Sequence, residues 1–105
     1  MAEIVWTEPA LSDLDAIADF IALENPIAAQ GLVRKIFAHV EHLADHPEMG
    51  SFPTELEGQR YRQVVEPPVR VFYRFDGNRV FVLHVMRSER QFHIARLERG
   101  LKRDS

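Results

Sequence analysis

The stretch from Arg60 to Arg87, RYRQVVEPPVRVFYRFDGNRVFVLHVMR, constrains this chain more than any other. It reads as three consecutive β-strands, with a sharp turn at Asp76-Gly77-Asn78. Val69, Val71, Tyr73 and Phe75 alternate with Arg70, Phe72 and Arg74, and a period of two marks a strand whose faces meet different surroundings. After the turn, RVFVLHVM is apolar at almost every position, the pattern of a central strand covered on both sides. Gly77 and Asn78 tolerate the positive φ that tight hairpin turns need. An even-numbered connecting loop puts Val69, Val71, Tyr73, Phe75, Val80, Val82, His84 and Met86 on one face. Arg70, Phe72, Arg74, Arg79, Phe81, Leu83, Val85 and Arg87 then form the other. The first face reads as core. The second is too charged for a core and too apolar for bare solvent, which suggests a surface that meets a partner. A one-residue slip in register would scramble the partition.

At 105 residues the chain is expected to form one domain, residues 1–105, able to bury roughly two thirds of its unfolded surface without staples. There is no cysteine, so neither a disulfide framework nor a thiolate site is available. The opening MAEIVWTEPA has no basic leader or long apolar run, and no stretch reaches membrane-spanning length. A protein of the reducing cytoplasm, with no membrane partner, is the expectation. The net charge of −3 hides a division: residues 1–59 carry eleven acidic and two basic side chains, and residues 60–105 carry eleven basic and five acidic. Either the basic half has an acidic partner or the two halves neutralise each other within the fold.

Glu3 to Trp6 is a short strand candidate. Thr7 is placed to cap a helix, Pro9 falls in its first turn, and Asp13 and Asp15 favour the positive end of its dipole. Leu11, Leu14, Ile17, Ala18 and Ile21 form its apolar stripe. Asn25-Pro26 ends this helix and restarts a second, whose stripe Ala29, Leu32, Val33, Ile36, Phe37, Val40, Leu43 and Ala44 runs to His46-Pro47. So short a connection makes an antiparallel hairpin. Ile36 and Phe37 are expected to anchor it on Val71, Tyr73 and Val82, and Gly31 suggests close approach of another backbone. Residues 46–59 form the one long loop. Ser88 and Gln91 have capping-box spacing, and Phe92, Ala95, Leu97 and Leu101 give a weak stripe for a short C-terminal helix ending near Gly100.

His39, His42 and His46 share one face of the second helix, but with no cysteine and no placed carboxylate no metal is expected there. His84, on the core-facing side, reads as a hydrogen-bonded structural histidine. The arginines carry more. Arg70, Arg74 and Arg87, with Arg62 and Arg90, form a candidate basic binding face suited to bidentate recognition of carboxylates or phosphates. Phe72, Phe81 and Leu83 supply its apolar contacts. The plainer alternative is a solvated face whose arginine stems cover apolar neighbours. No glycine-rich phosphate loop, nucleophile elbow or paired-carboxylate spacing appears, so no catalytic residue and no cofactor is assigned.

The order β-α-α-β-β-β-α, the segment His46-Pro47-Glu48-Met49-Gly50, the strand Arg70-Val71-Phe72-Tyr73-Arg74-Phe75 and the closing Val82-Leu83-His84-Val85-Met86-Arg87-Ser88-Glu89-Arg90 together resemble the RelE/ParE superfamily of type II toxins. The chain is most similar to its ParE-like branch, often labelled plasmid stabilisation proteins. The resemblance implies an α+β fold, a small antiparallel sheet with a helical hairpin on one face and a short C-terminal helix, and a cognate antitoxin as partner. It also implies one of two activities. RelE-like members cut messenger RNA in the ribosome, whereas ParE-like members cut nothing and block DNA gyrase.

Where many relatives have histidine followed by glycine, two arginines and aspartate, this chain has Arg87-Ser88-Glu89-Arg90. The C-terminal tyrosine of some ribonuclease members has no counterpart nearer than Phe92. Arginine is too basic to exchange a proton near neutral pH, and a net charge of −3 suits binding to ribosomal RNA poorly. A gyrase inhibitor held by an antitoxin, without sequence-specific nucleic-acid binding, is therefore the expectation. A ribosome-dependent endoribonuclease using His84, His93, Glu89 or Tyr73 is the first alternative, and a non-toxic binding module the second.

Overall fold

The computed structural model describes residues 1–88; the expected C-terminal helix and Arg90 lie outside the described residues. The elements run β1 (Glu3–Trp6), α1 (Glu8–Ala22), α2 (Pro26–Glu41), β2 (Tyr61–Glu66), β3 (Val69–Phe75) and β4 (Arg79–Arg87), with 3₁₀ turns at His42–Ala44 and Thr54–Leu56. Both helix starts follow from their caps. The Thr7 hydroxyl accepts from the Ala10 N–H at 3.3 Å and donates to the Val82 carbonyl at 2.7 Å, so one side chain caps α1 and ties it to β4. Asn25 Oδ1 accepts from the Ala28 N–H at 3.0 Å, with Pro26 opening α2 where no N–H is needed.

The fold is α+β, with the helical hairpin packed against a four-stranded sheet of order β1-β4-β3-β2. The sheet is mixed rather than purely antiparallel. The helical hairpin carries the chain from β1 across the sheet, β2 and β3 form a meander with β4, and β4 returns beside β1 in parallel, Ile4 opposite Val80 and Trp6 opposite Val82. β4 is thereby central, which is why its sequence is apolar on both faces. The turn before it is held by Asp76, whose carboxylate accepts from the backbone N–H groups of Asn78 and Arg79. Of the turn residues only Gly77 takes positive φ (+100°), a backbone that a side chain would strain.

The face partition expected from strict alternation needs correction beyond Phe72. Phe72 pairs with His84 but Tyr73 pairs with Val82, so Leu83 is an extra residue, a β-bulge. Period two holds only while one residue opposes one, and the bulge resets it. Val85 joins the helix-side core with Val69, Val71, Tyr73, Val80 and Val82, where α1 and α2 contribute Ala10, Leu14, Leu32, Ile36 and Val40. Met86 moves to the far face with Phe72, Phe81 and Leu83. Arg87, opposite Val69, likewise leaves the far face, and its guanidinium lies 4.9 Å from the Phe20 ring of α1.

Three helix expectations also change. Ile36 is fully buried, but Phe37 is 38% exposed and its ring rests on Trp6 at 4.8 Å, one position too far round α2 to reach the sheet. Leu11 is exposed for the same angular reason, and Ala10 takes its place in the core. Gly31 meets nothing within 4 Å of where a Cβ would stand, so no close backbone explains it. Close approach occurs at Gly50 instead. A Cβ there would lie 2.6 Å from both the Gln63 carbonyl oxygen and the Tyr73 hydroxyl.

Candidate functional site: an arginine-covered sheet face

The far face of the sheet is a second apolar cluster under a layer of arginines. Phe72, Phe81 and Leu83, expected as contact surface, are 0%, 7% and 1% exposed. Leu56, from the 3₁₀ turn in the long loop, packs among them and is itself buried. Arginine stems complete the cover. The Arg70 guanidinium lies 4.8 Å from the Phe72 ring, and those of Arg74 and Arg79 lie 5.1 and 5.3 Å from the Phe81 ring, distances at which the cation is attracted to the π-face.

The five arginines proposed from sequence do not form one array. Arg70 and Arg74 stand on the far face, joined there by Arg79, which the candidate set had left out. Its signal was present, since Arg79 and Phe81 alternate after the turn just as Phe72 and Arg74 do before it. Arg62 pairs across the sheet with Tyr73, a helix-side core residue, and so faces the other way. Its guanidinium donates to the carbonyls of Glu48 (3.1 Å) and Gly50 (2.9 Å) and lies 4.1 Å from the Phe52 ring. Arg87 is also on the helix side, and Arg90 lies outside the described residues.

The charge division of the sequence is partly resolved within the fold. Arg70 donates twice to the Glu55 carboxylate, both at 2.9 Å, and its Nε donates to Gln63 Oε1 at 2.8 Å. That double hydrogen bond holds the Glu55 carboxyl below the ordinary glutamate range. Arg62 reaches Glu48 at 3.4 Å. Two basic residues of the second half are thus paired with acidic residues of the first, and both acidic partners sit in the long loop, which is clamped down across the sheet edge.

Two titratable candidates for proton transfer are committed elsewhere. His84 is 2% exposed, stacks on Phe72 at 5.8 Å, and its Nδ1 is 2.6 Å from Asp13 Oδ2 on α1. A carboxylate can only accept, so the ring donates from Nδ1, as expected of a hydrogen-bonded structural histidine. The same Asp13 oxygen accepts from the Val85 N–H at 3.3 Å, just past the bulge. The Tyr73 hydroxyl accepts from the Gly50 N–H at 3.0 Å and donates to the Pro47 carbonyl at 2.8 Å, and burial pushes its pKa up. These two side chains fix the hairpin and the loop to the sheet.

His39 of α2 and His42 just after it border a groove of about 480 Å³ lined also by Lys35, Ala38, Met49 and Glu66, in which His39 Nδ1 approaches Glu66 at 3.3 Å; His46 is not part of its lining. No set of three metal-ligating side chains converges there or elsewhere among the described residues. No helix among them is long and apolar enough to cross a membrane.

Comparison with known proteins places this geometry. A family model described as "ParE toxin of type II toxin-antitoxin system, parDE" matches residues 4–92. The chain is 38% identical over 97 residues to "Toxin RelE2" of Caulobacter vibrioides, an alignment spanning 92% of this chain and all of that protein. A solved structure titled "Chromosomal ParDE TA system from P. aeruginosa" superposes with a TM-score of 0.72 at 29% identity, covering 85% of this chain and 98% of that one.

Proposed function

This chain belongs to the ParE toxin family of type II toxin–antitoxin systems, and from that premise we propose that it arrests growth by inhibiting DNA gyrase. Membership implies a cognate antitoxin, and we place the action of the free toxin in the cytoplasm, where gyrase works. The observation that carries the gyrase reading over the nuclease one is the engagement of His84 and Tyr73. Both are buried and hydrogen-bonded to the protein's own groups, so neither is free to exchange a proton with a substrate. The arginines that remain at the surface bind charge but do not exchange protons near neutral pH. The basic far face around Arg70 and Arg74 is the surface we assign to protein contacts, a reading supported by the acidic Glu55 and apolar Leu56 of the chain's own loop that already pack on it.

The name of the Caulobacter relative, "Toxin RelE2", supports a second reading, an endoribonuclease that cuts messenger RNA on the ribosome. Induction of the gene without an antitoxin separates the two. Filamentation with induced DNA damage follows from gyrase inhibition, and prompt loss of protein synthesis with cleaved messages follows from the nuclease. Unimpaired growth would support neither and would leave a harmless binding module.

A further inference from the structure

Among the described arginines of the far face, one pair stands apart. Arg70 is satisfied by Glu55 and Gln63, but Arg74 and Arg79 make no ion pair within 4.0 Å among the described residues. The Arg74 Nε is moreover shielded from solvent and has no hydrogen-bond partner among the described residues. An unpaired charged donor in a folded protein calls for an explanation, and Arg74 as a whole is only partly buried, so its outer N–H groups stay within reach of a partner.

The sheet register brings the two guanidiniums together. Arg74 lies directly opposite Phe81, and Arg79 is two residues before Phe81 on the same face, so both guanidiniums lie over one ring, at 5.1 and 5.3 Å. The neighbouring acids form no ion pair with them, although the Asp76 carboxyl, held low chiefly by backbone N–H groups, also feels the charges of Arg79 and Arg74. Asp76 turns its Oδ1 to the backbone N–H groups of Asn78 and Arg79, and Glu3, the cross-strand partner of Arg79, forms no ion pair with it.

We propose that Arg74 and Arg79, braced on Phe81, form an oxyanion subsite that takes a carboxylate side chain from an acidic segment of a partner protein. A carboxylate accepts from the outer N–H groups of two guanidiniums at once. An acidic peptide is favoured over a nucleic acid because the ring between the arginines is covered on its face and offers no base a place to stack. The net charge of −3 also opposes a polyphosphate partner. The subsite is independent of whether gyrase or the ribosome is the target, because it is read by binding to the isolated chain.

The test is an NMR titration of the full chain at low salt, following the arginine Nε–H signals, with hexaglutamate as probe and a thymidine hexanucleotide as the rival. The expected result is that hexaglutamate shifts the Arg74 and Arg79 signals and not those of Arg62 or Arg70. Arg74→Lys, which keeps the charge and loses the planar fork of outer N–H donors, should weaken binding about tenfold, and Arg70→Lys less than about twofold. Arg79→Gln, at an exposed position, provides a second variant should Arg74→Lys perturb the amide spectrum beyond the site. Equal response of all the arginines, equal losses in Arg74→Lys and Arg70→Lys, tighter binding of the oligonucleotide, or no shift at saturating peptide would each overturn the assignment.

Discussion

Replacing Gly50 by alanine should be among the most damaging single-methyl additions in this protein, and the structure gives the size. The new Cβ would stand 2.6 Å from the Gln63 carbonyl oxygen, 2.6 Å from the Tyr73 hydroxyl and 2.7 Å from its Cε1, all closer than carbon atoms are found. None of the three can retreat freely. The Gln63 oxygen accepts from the Ser51 N–H at 3.0 Å in the bridge that fastens the loop to β2, and the Tyr73 ring is fully buried. Overpacking of this kind costs about 1–3 kcal/mol. Displacing the hydroxyl from Gly50 and Pro47 adds about 1 kcal/mol for the hydrogen bonds it weakens, so the expected loss is about 2–4 kcal/mol.

Urea unfolding of Gly50→Ala against the parent chain measures this directly, with Gly31→Ala as the control. Nothing lies within 4 Å of a Cβ at position 31, inside α2, so that change should stabilise by about 0.5–1 kcal/mol. Tyr73→Phe removes one of the clashing atoms, so the double variant Gly50→Ala/Tyr73→Phe should be less destabilised than the sum of its parts by at least about 0.5 kcal/mol. A loss below about 0.5 kcal/mol for Gly50→Ala, or strict additivity in the cycle, would refute the account of how the loop is anchored.

Further consequences concern the core, the bulge and the loop clamp. Ile36→Ala should cost about 2–5 kcal/mol and Phe37→Ala only about 1–2, because Phe37 packs on Trp6 at the surface; the reverse order in denaturant unfolding would mean α2 is rotated from the orientation described. Asp13→Ala leaves the His84 Nδ1 and the Val85 N–H without their acceptor, and thermal unfolding should show a loss of about 1–3 kcal/mol. For Glu55 the folded-state pKa is lowered, so its pairing with Arg70 stabilises fully above the unfolded-state value and is lost as pH falls through the lower folded one. The pair is partly exposed, so Glu55→Gln should cost only about 0.2–1 kcal/mol at neutral pH. Its stability should converge with that of the parent below the ordinary glutamate range, and a gap that persists undiminished in acid would contradict the pairing.

Much of the fold was legible because it depends on local rules. Thr7-Glu8-Pro9 and Asn25-Pro26 mark helix starts by capping chemistry alone, and Asp76-Gly77-Asn78 marks its turn by the carboxylate and the glycine. What local rules could not give were the consequences of one inserted residue. The bulge at Leu83 exchanges the sides of Val85, Met86 and Arg87, and nothing in an apolar run such as VFVLHVM signals which residue is extra. The same bulge separates Arg87 from Arg70 and Arg74, which strict alternation puts on one face, while Arg62, placed near them by sequence, is turned the other way by the β2 register. Gly50 stood in the quoted HPEMG segment, yet its role needs Tyr73, 23 residues away, and no short-range pattern reports such a contact. Likewise Phe37 looked central in its stripe, but a helix turns 100° per residue, and only the sheet shows which of two adjacent apolar positions points inward.

Supercoiling of relaxed plasmid by purified DNA gyrase, with and without the purified toxin, tests the functional claim most directly. The account predicts that the toxin inhibits supercoiling in a dose-dependent manner and that its cognate antitoxin restores the activity. Undiminished supercoiling at a large molar excess of toxin, together with cleavage of messenger RNA in a purified ribosome reaction, would contradict it.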